Sequence, residues 1–329
     1  MSHRSYSEQS LAYFIRPAAG VPTQPVGGAA AWRGPELTAQ PDRWLVELSA
    51  AQIVELHDVT AAAMADAVPM ADVTAELVPL PGWADDVARW RSQLDGGLGV
   101  VCLRGLPVRE WSREFSAYAY WILGHHLGAP GAQNPAGDLL GHVYDEPGRP
   151  TDELVRLYRT ADDIAFHCDA ADVVGLLCLR TAREGGQSRL ASSVAVFDEV
   201  LARRPDLAPD LFEPFHIDRR DEQPAGDAPT FTLPSAAWDG SSLRTFWHSD
   251  YMRSAERHDT VEFSDTRRSL IELYDEIAGS PDFRFDMWLR EGDIQLISNH
   301  TVVHARTAFD DHDDPDERRH LLRLWLTLD

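Results

Sequence analysis

The chain contains no lysine: all 30 of its basic residues are arginine. That absence removes Schiff-base catalysis, pyridoxal-phosphate attachment and a Walker-A phosphate lysine at once. Any small anion that needs a cation must find an arginine. Cysteine is almost as scarce. Cys102, Cys168 and Cys178 form no C-x-x-C pair, so neither a disulfide framework nor a zinc ribbon is on offer, and a reducing compartment is the simpler reading. No apolar run approaches the roughly 18 residues of a membrane span, and residues 1–25 lack an apolar stretch behind a basic one. A cytoplasmic protein with no membrane partner is expected. Positive charge is short as well: 53 acids against 30 bases leave a net −23. Such a chain is a poor ligand for nucleic-acid phosphates or anionic bilayers. The expected partner is a small molecule, with homo-oligomerisation left open.

The 329 residues, 44% apolar and 25% charged, suffice for a buried core. Residues 1–45, rich in Pro, Gly and Ala, read as an extended or partly ordered arm, and 46–329 as a single domain. Ser49 and Gln52 form an S-x-x-Q capping box that predicts a helix to about Ala65. Further helices are predicted over Trp83–Leu94 and Trp111–Leu127, with a buried strand from Gly99 to Leu103 between them. Beyond Leu154 the texture turns β-like: Leu154–Tyr158, Val173–Leu179, Ser188–Ser192, Phe283–Trp288, Ile294–Ser298 and Leu321–Leu328. Helices Val194–Arg204 and Ser264–Ile277 interrupt these runs. Strands without regular βα alternation argue for an α+β chain with an antiparallel barrel or jelly roll, helices packed outside.

Phe166-His167-Cys168-Asp169 is the first candidate metal site, because residues i and i+2 of a strand point to the same side. Three other His-x-Asp matches exist, beginning at His216, His248 and His312. His312 lies in an acid-rich loop, residues 310–317, whose capacity for a second cation the sequence leaves open. His216–Asp218 runs into arginines able to satisfy the acid locally. His248 reads as pocket wall or surface. The third ligand for His167 and Asp169 comes from the end of the chain, where a strand, a polar turn and a second strand carry His304. Arg319 and Arg323, four apart, share a face with Leu321 and Trp325, and an arginine buried in a barrel is costly unless an anion pairs with it. Two His and a carboxylate with open positions describe the facial triad of non-haem Fe(II) oxygenases.

In these stretches, together with Gly185-Gly186-Gln187-Ser188 and Asn299-x4-His304-x-Arg306-Thr307-Ala308-Phe309, the chain resembles the TauD/TfdA (taurine dioxygenase-like) Fe(II)/2-oxoglutarate oxygenases, related to clavaminate synthase. The resemblance spans about residues 99–329. It implies a double-stranded β-helix with a helical insertion near 195–275 that forms part of a substrate lid. It implies Fe(II), with 2-oxoglutarate and O2 as cosubstrates, held by His167, Asp169 and His304. Arg319 would meet the distal carboxylate of 2-oxoglutarate, with the Ser188 hydroxyl beside it, and Arg323 an anionic group of the substrate. The products would be succinate, CO2 and a small, anionic or amino-acid-like molecule oxidised at a C–H bond. Asp169 points to hydroxylation over halogenation, since related halogenases carry Gly or Ala there, and leaves desaturation or ring closure open.

A cupin-like isomerase or a non-catalytic jelly-roll binding protein is the competing reading. It would keep the three ligands and need no Arg319 on the inner face. Cys168 alternates away from the ligand side and reads as a packed thiol. His125 and His126 read as helix cap and surface. Trp247 and Tyr251 are candidates for the substrate pocket with His248, although core packing suits them equally.

Overall fold

In a computed structural model, which describes residues 3–145, 160–223 and 225–328, Val100–Arg104 shows how the layers arise. Val100 and Cys102 point to one side, into a core shared with Leu190, Val302 and Trp325. Val101 and Leu103 point to the other side, against Trp83, Trp90 and Trp121 from the helices. A strand apolar on both faces must be covered on both. The helices Ala50–Ala65, Ala84–Gly96 and Arg113–Leu127 supply the outer cover.

The larger sheet runs Leu45–Glu47, Val100–Arg104, Ile294–Ser298, Val173–Arg180, His320–Thr327 and Ala129–Pro130, with Gly141–Val143 also paired to His320–Thr327. Only its first pair is parallel. The smaller antiparallel sheet runs Phe285–Met287, Ser188–Ser192, Val302–Arg306 and Ile164–His167. Helices Ser193–Arg203 and Asp265–Gly279 pack on the smaller sheet's outer side. This is the double-stranded β-helix that the strand pattern and the resemblance imply. Expected strands and helices recur within a few residues of their predicted ends, and the Ser49–Gln52 capping box is made in both directions. The strand predicted at Leu154–Tyr158 lies outside the described residues.

Two regions differ from expectation. The arm is ordered where it touches the barrel. Ser5 and Glu8 cap a helix, Tyr6–Phe14, whose Tyr13 hydroxyl donates to the carbonyl of Asn299 at 2.8 Å and whose ring stacks on His300. Trp32 and Leu37 then enter the core between the sheets. The insertion, expected to be helical, also carries two hairpins, Pro214–Asp218 with Thr230–Pro234 and Ala236–Trp238 with Leu243–Thr245. The second hairpin turns at Asp239-Gly240, where the Asp239 carboxylate accepts from the N–H groups of Ser241 and Ser242 and Gly240 takes φ +102°. No described helix is long and apolar enough to cross a membrane.

Burial pushes His125, His300 and His320 each down to about 4, for His300 against the pull of the Asp172 carboxylate. An unfolded histidine takes up its proton near 6.5. Between those values the unfolded chain binds more protons than the folded one, so stability must fall as pH falls. The depressed carboxylates of Asp172 and Asp218 act in the same sense, but only in the acid range. The urea midpoint is therefore expected to drop steadily from pH 7 to pH 5. A flat midpoint across that range would contradict neutral burial of these rings.

Candidate metal centre and adjoining pockets

His167 ends the strand Ile164–His167, and His304 sits opposite it in register on Val302–Arg306. Their ring centroids are 4.2 Å apart. Asp169 follows two residues on, its N–H donating to the Asn299 side-chain carbonyl at 3.0 Å, while the Asn299 amide donates to the carbonyl of Ala171. The polar turn between two strands thus fixes the acid. One potential ligand atom from each of His167, Asp169 and His304 falls within a single 4.8 Å group, the only such group of three among the described residues. His312 and the acidic loop make none: Glu317 and Asp316 are paired with Arg109 and Arg113.

The electrostatics suit a cation. Nδ1 of His167 faces the carbonyl of Ala165 at 2.9 Å, so a proton there leaves Nε2 as the ligand lone pair. Burial pushes His304 down to about 3, helped by His167 and opposed by Asp169, so the ring is neutral and ready to ligate. Burial works to raise Asp169, yet Arg323 and the two histidines outweigh it and hold the carboxyl below its usual range. Arg323 Nη1 lies 3.7 Å from Asp169 Oδ1, and its Nε donates to the side-chain carbonyl of Gln133 at 2.7 Å.

Arg319 lines a separate cavity of about 390 Å³ with Cys178, Gly185, Gly186, Leu289 and Leu321. Gly185 and Gly186 both have left-handed φ, +77° and +69°, and a Cβ on Gly186 would stand 3.1 Å from Arg319 Nε. The guanidinium lies over Phe309, which also carries that of Arg306. Arg319 is 6% exposed, forms no ion pair among the described residues, and its Nη1 has no hydrogen-bond partner. Burial lowers it to about 10, and burial with the nearby Arg319 lowers Arg306 to about 9. Two buried arginines with unmet N–H groups need an anion. A β-bulge between His320 and Leu321 interrupts the alternation that links Arg319 to Arg323, so it is the cavity wall that shows Arg319 turned inward. Arg318 turns outward, its Nε donating to the carbonyl of His312.

Other expected residues divide. His248 forms a bridge with His167 and stacks on Tyr251 at 3.6 Å, and both line a pocket of about 530 Å³ that contains His167, Asp169 and Arg323. Trp247 does not line it: the indole is buried, stacks on Tyr274 at 3.8 Å and donates to Asp275, because its neighbour His248 takes the inward position. Ser188 is buried between the sheets and shares hydrogen bonds with Gln295, off the walls of both pockets. Cys168 is packed as expected. Gln133, Gln295 and Arg306 were given no role by sequence reasoning, although Arg306 stands two residues after His304 in the quoted motif. The Tyr6–Phe14 helix also forms part of the larger pocket's wall, through Leu11 and Phe14.

Over residues 66–325 the chain matches the family described as "Taurine catabolism dioxygenase TauD, TfdA family". It is 28% identical over 310 residues to FR-33289 synthase of Streptomyces rubellomurinus, covering 93% of this chain and 91% of that protein. Two solved structures share the fold. Asparagine oxygenase in complex with Fe(II), 2S,3S-3-hydroxyasparagine and succinate has a TM-score of 0.68 at 19% identity, over 86% of this chain and 93% of that one. The non-heme iron oxygenase OrfP in complex with Fe and alpha-ketoglutaric acid has a TM-score of 0.62 at 18% identity, over 87% and 94%.

Proposed function

Because the chain belongs to the TauD/TfdA family of Fe(II)- and 2-oxoglutarate-dependent dioxygenases, we propose that it oxidises a C–H bond of a small anionic or amino-acid-like molecule through His167, Asp169, His304 and Arg319. Arg319 carries the reading against a metal-only jelly roll. A cation buried with no carboxylate in ion-pair contact among the described residues, and with an N–H unmet, is destabilising on its own and suits a ligand that brings the anion. The distal carboxylate of 2-oxoglutarate fits it. Fe(II), when held by His167, Asp169 and His304, would activate O2, whose two oxygen atoms are divided between the succinate formed as 2-oxoglutarate loses CO2 and the oxidised substrate.

The chain's own groups bind and orient. His304 presents a neutral ring, His167 presents Nε2 while its Nδ1 faces the Ala165 carbonyl, and Asp169 presents a carboxylate that Arg323 keeps ionised. Asn299 holds the backbone of Asp169 in place. The Gly185-Gly186 turn leaves room against Arg319, while the Ser188 hydroxyl, off both pocket walls, is held by the Gln295 side chain. Arg323 stands where the larger pocket meets the triad, in reach of an anionic group on a substrate. His248 and Tyr251 form a wall of that pocket. The relatives whose structures hold hydroxyasparagine and iron favour an amino-acid-like substrate here.

The test is a screen of amino acids, sulfonates and small carboxylates for stimulated succinate release from 2-oxoglutarate. A stimulating anion is expected to lose affinity by tens-fold in Arg323→Gln while slow substrate-free turnover continues. Stimulation only by neutral compounds, untouched by Arg323→Gln, would remove the anion preference.

A further inference from the structure

The larger pocket has a second cationic end. Arg219 and Arg220 follow the strand Pro214–Asp218 on its wall. Arg220 lies over the ring of Tyr251 at 4.4 Å, Tyr251 stacks on His248 at 3.6 Å, and His248 lies 5.2 Å from the ring of His167. A column of three contacts therefore runs from Arg220 to the metal cluster. Arg219 lies over Phe231, another wall residue, and its Nε is buried with no hydrogen-bond partner.

The turn that carries these arginines is built, not loose. Asp218 is buried and accepts from Arg257 Nε at 2.8 Å, Arg257 Nη2 at 3.2 Å and the backbone N–H of Arg220 at 3.0 Å, with His258 Nε2 at 3.2 Å. Arg257 also reaches Asp221 at 2.7 Å. Arg220 and Asp221 both take left-handed backbone, φ +52° and +60°, which is uncommon for residues with a Cβ and persists where surrounding bonds enforce it. Two of the turn's acids are thus spent on Arg257, while the two arginines that separate them are held on the pocket wall. Glu222 is the turn's third acid and shares that wall.

We propose that Arg219 and Arg220 form an anion subsite at the end of the pocket remote from the metal cluster. The substrate then carries an anionic oxygen group, a carboxylate or a tetrahedral phosphonate or phosphate, away from the carbon that is oxidised. The inference rests on the oxygenase reading only for which end of the pocket reacts.

The experiment is anaerobic calorimetry of the protein loaded with Fe(II) and 2-oxoglutarate, titrated with pentylphosphonate, hexanoate and hexanamide. The anions are expected to bind about tenfold or more tighter than the amide, as charge-assisted pairing implies. In Arg219→Gln/Arg220→Gln that preference disappears while hexanamide affinity is unchanged. Arg219→Gln alone, which leaves the Arg220–Tyr251 stack intact, keeps the test valid if the double variant fails to fold, with a several-fold loss expected. Glu222→Gln is expected to tighten both anions, since it removes a competing acid. A phosphonate preferred over hexanoate identifies the tetrahedral class, and equal affinities the carboxylate class. No preference in the parent protein, or one that survives the double replacement and vanishes in Arg323→Gln, overturns the subsite. Succinate formation by the same protein in air reports the oxygenase reading separately. Its absence with the anion preference intact sinks that reading and leaves the subsite standing.

Discussion

Asp169→Ala protein is expected to bind Fe(II) more than about a hundredfold more weakly than the parent, and His167→Ala to do the same. Loss of a group that merely orients a ligand costs about 10–100-fold in metal affinity, and loss of a ligand costs more. Nothing nearby can replace Asp169: the other acids of the larger pocket are Asp218, bound by Arg257 and His258, and Glu222, and neither belongs to the group of ligand atoms. The replacement also leaves Arg323 beside two histidines with no carboxylate between them, which disfavours a cation further. Equilibrium dialysis with Fe(II), read on protein that retains its far-ultraviolet spectrum, measures the loss. Unchanged iron stoichiometry in both variants would move the site to His216, His248 or His312.

Arg319→Ala is expected to raise the apparent KM for 2-oxoglutarate by one to two decades and leave Fe(II) bound. A charge-assisted hydrogen-bonded pair contributes roughly 1.5–3 kcal/mol, and more in a dry site. The unmet Nη1 gives a second readout. Removing a buried cation that lacks a partner relieves desolvation, so the ligand-free variant is expected to melt no lower than the parent. A structural arginine would show the reverse pattern, with lowered Tm and normal cosubstrate affinity. Arg318→Ala is the matched control, because its guanidinium bonds to the carbonyl of His312 outside the cavity.

What the sequence discloses follows from the range of the interactions. Ser49 and Gln52 signal a helix because a capping box is local, and Ser5 with Glu8 gives the same signal in an arm whose Pro and Gly content masks it. Alternation places Cys168 in the core and His167 beside Asp169 correctly. The register that sets His304 opposite His167 is non-local, and only the pairing of strands shows it. Arg323 illustrates the limit: its inward direction follows from alternation with Leu321 and Trp325, but its partner Gln133 stands 190 residues away. The hairpin at Asp239-Gly240 carries a local turn signal that the expectation of a helical insertion passed over. Trp247 and His248 show the cost of a one-residue step. Neighbours in a locally extended chain face opposite ways, so of these two pocket candidates the Trp247 ring stacks on Tyr274 while His248 takes the wall.

The most direct measurement follows carbon dioxide and succinate together from 2-oxoglutarate labelled at C1, in air, with the protein loaded with Fe(II). The two products are expected in equal amounts, dependent on iron, slow without substrate and faster with an anionic amino-acid-like compound, and absent in Asp169→Ala. Protein that binds Fe(II) at His167, Asp169 and His304 and still releases neither product, with every compound of the screen present, would contradict the oxygenase account and leave a metal-binding jelly roll.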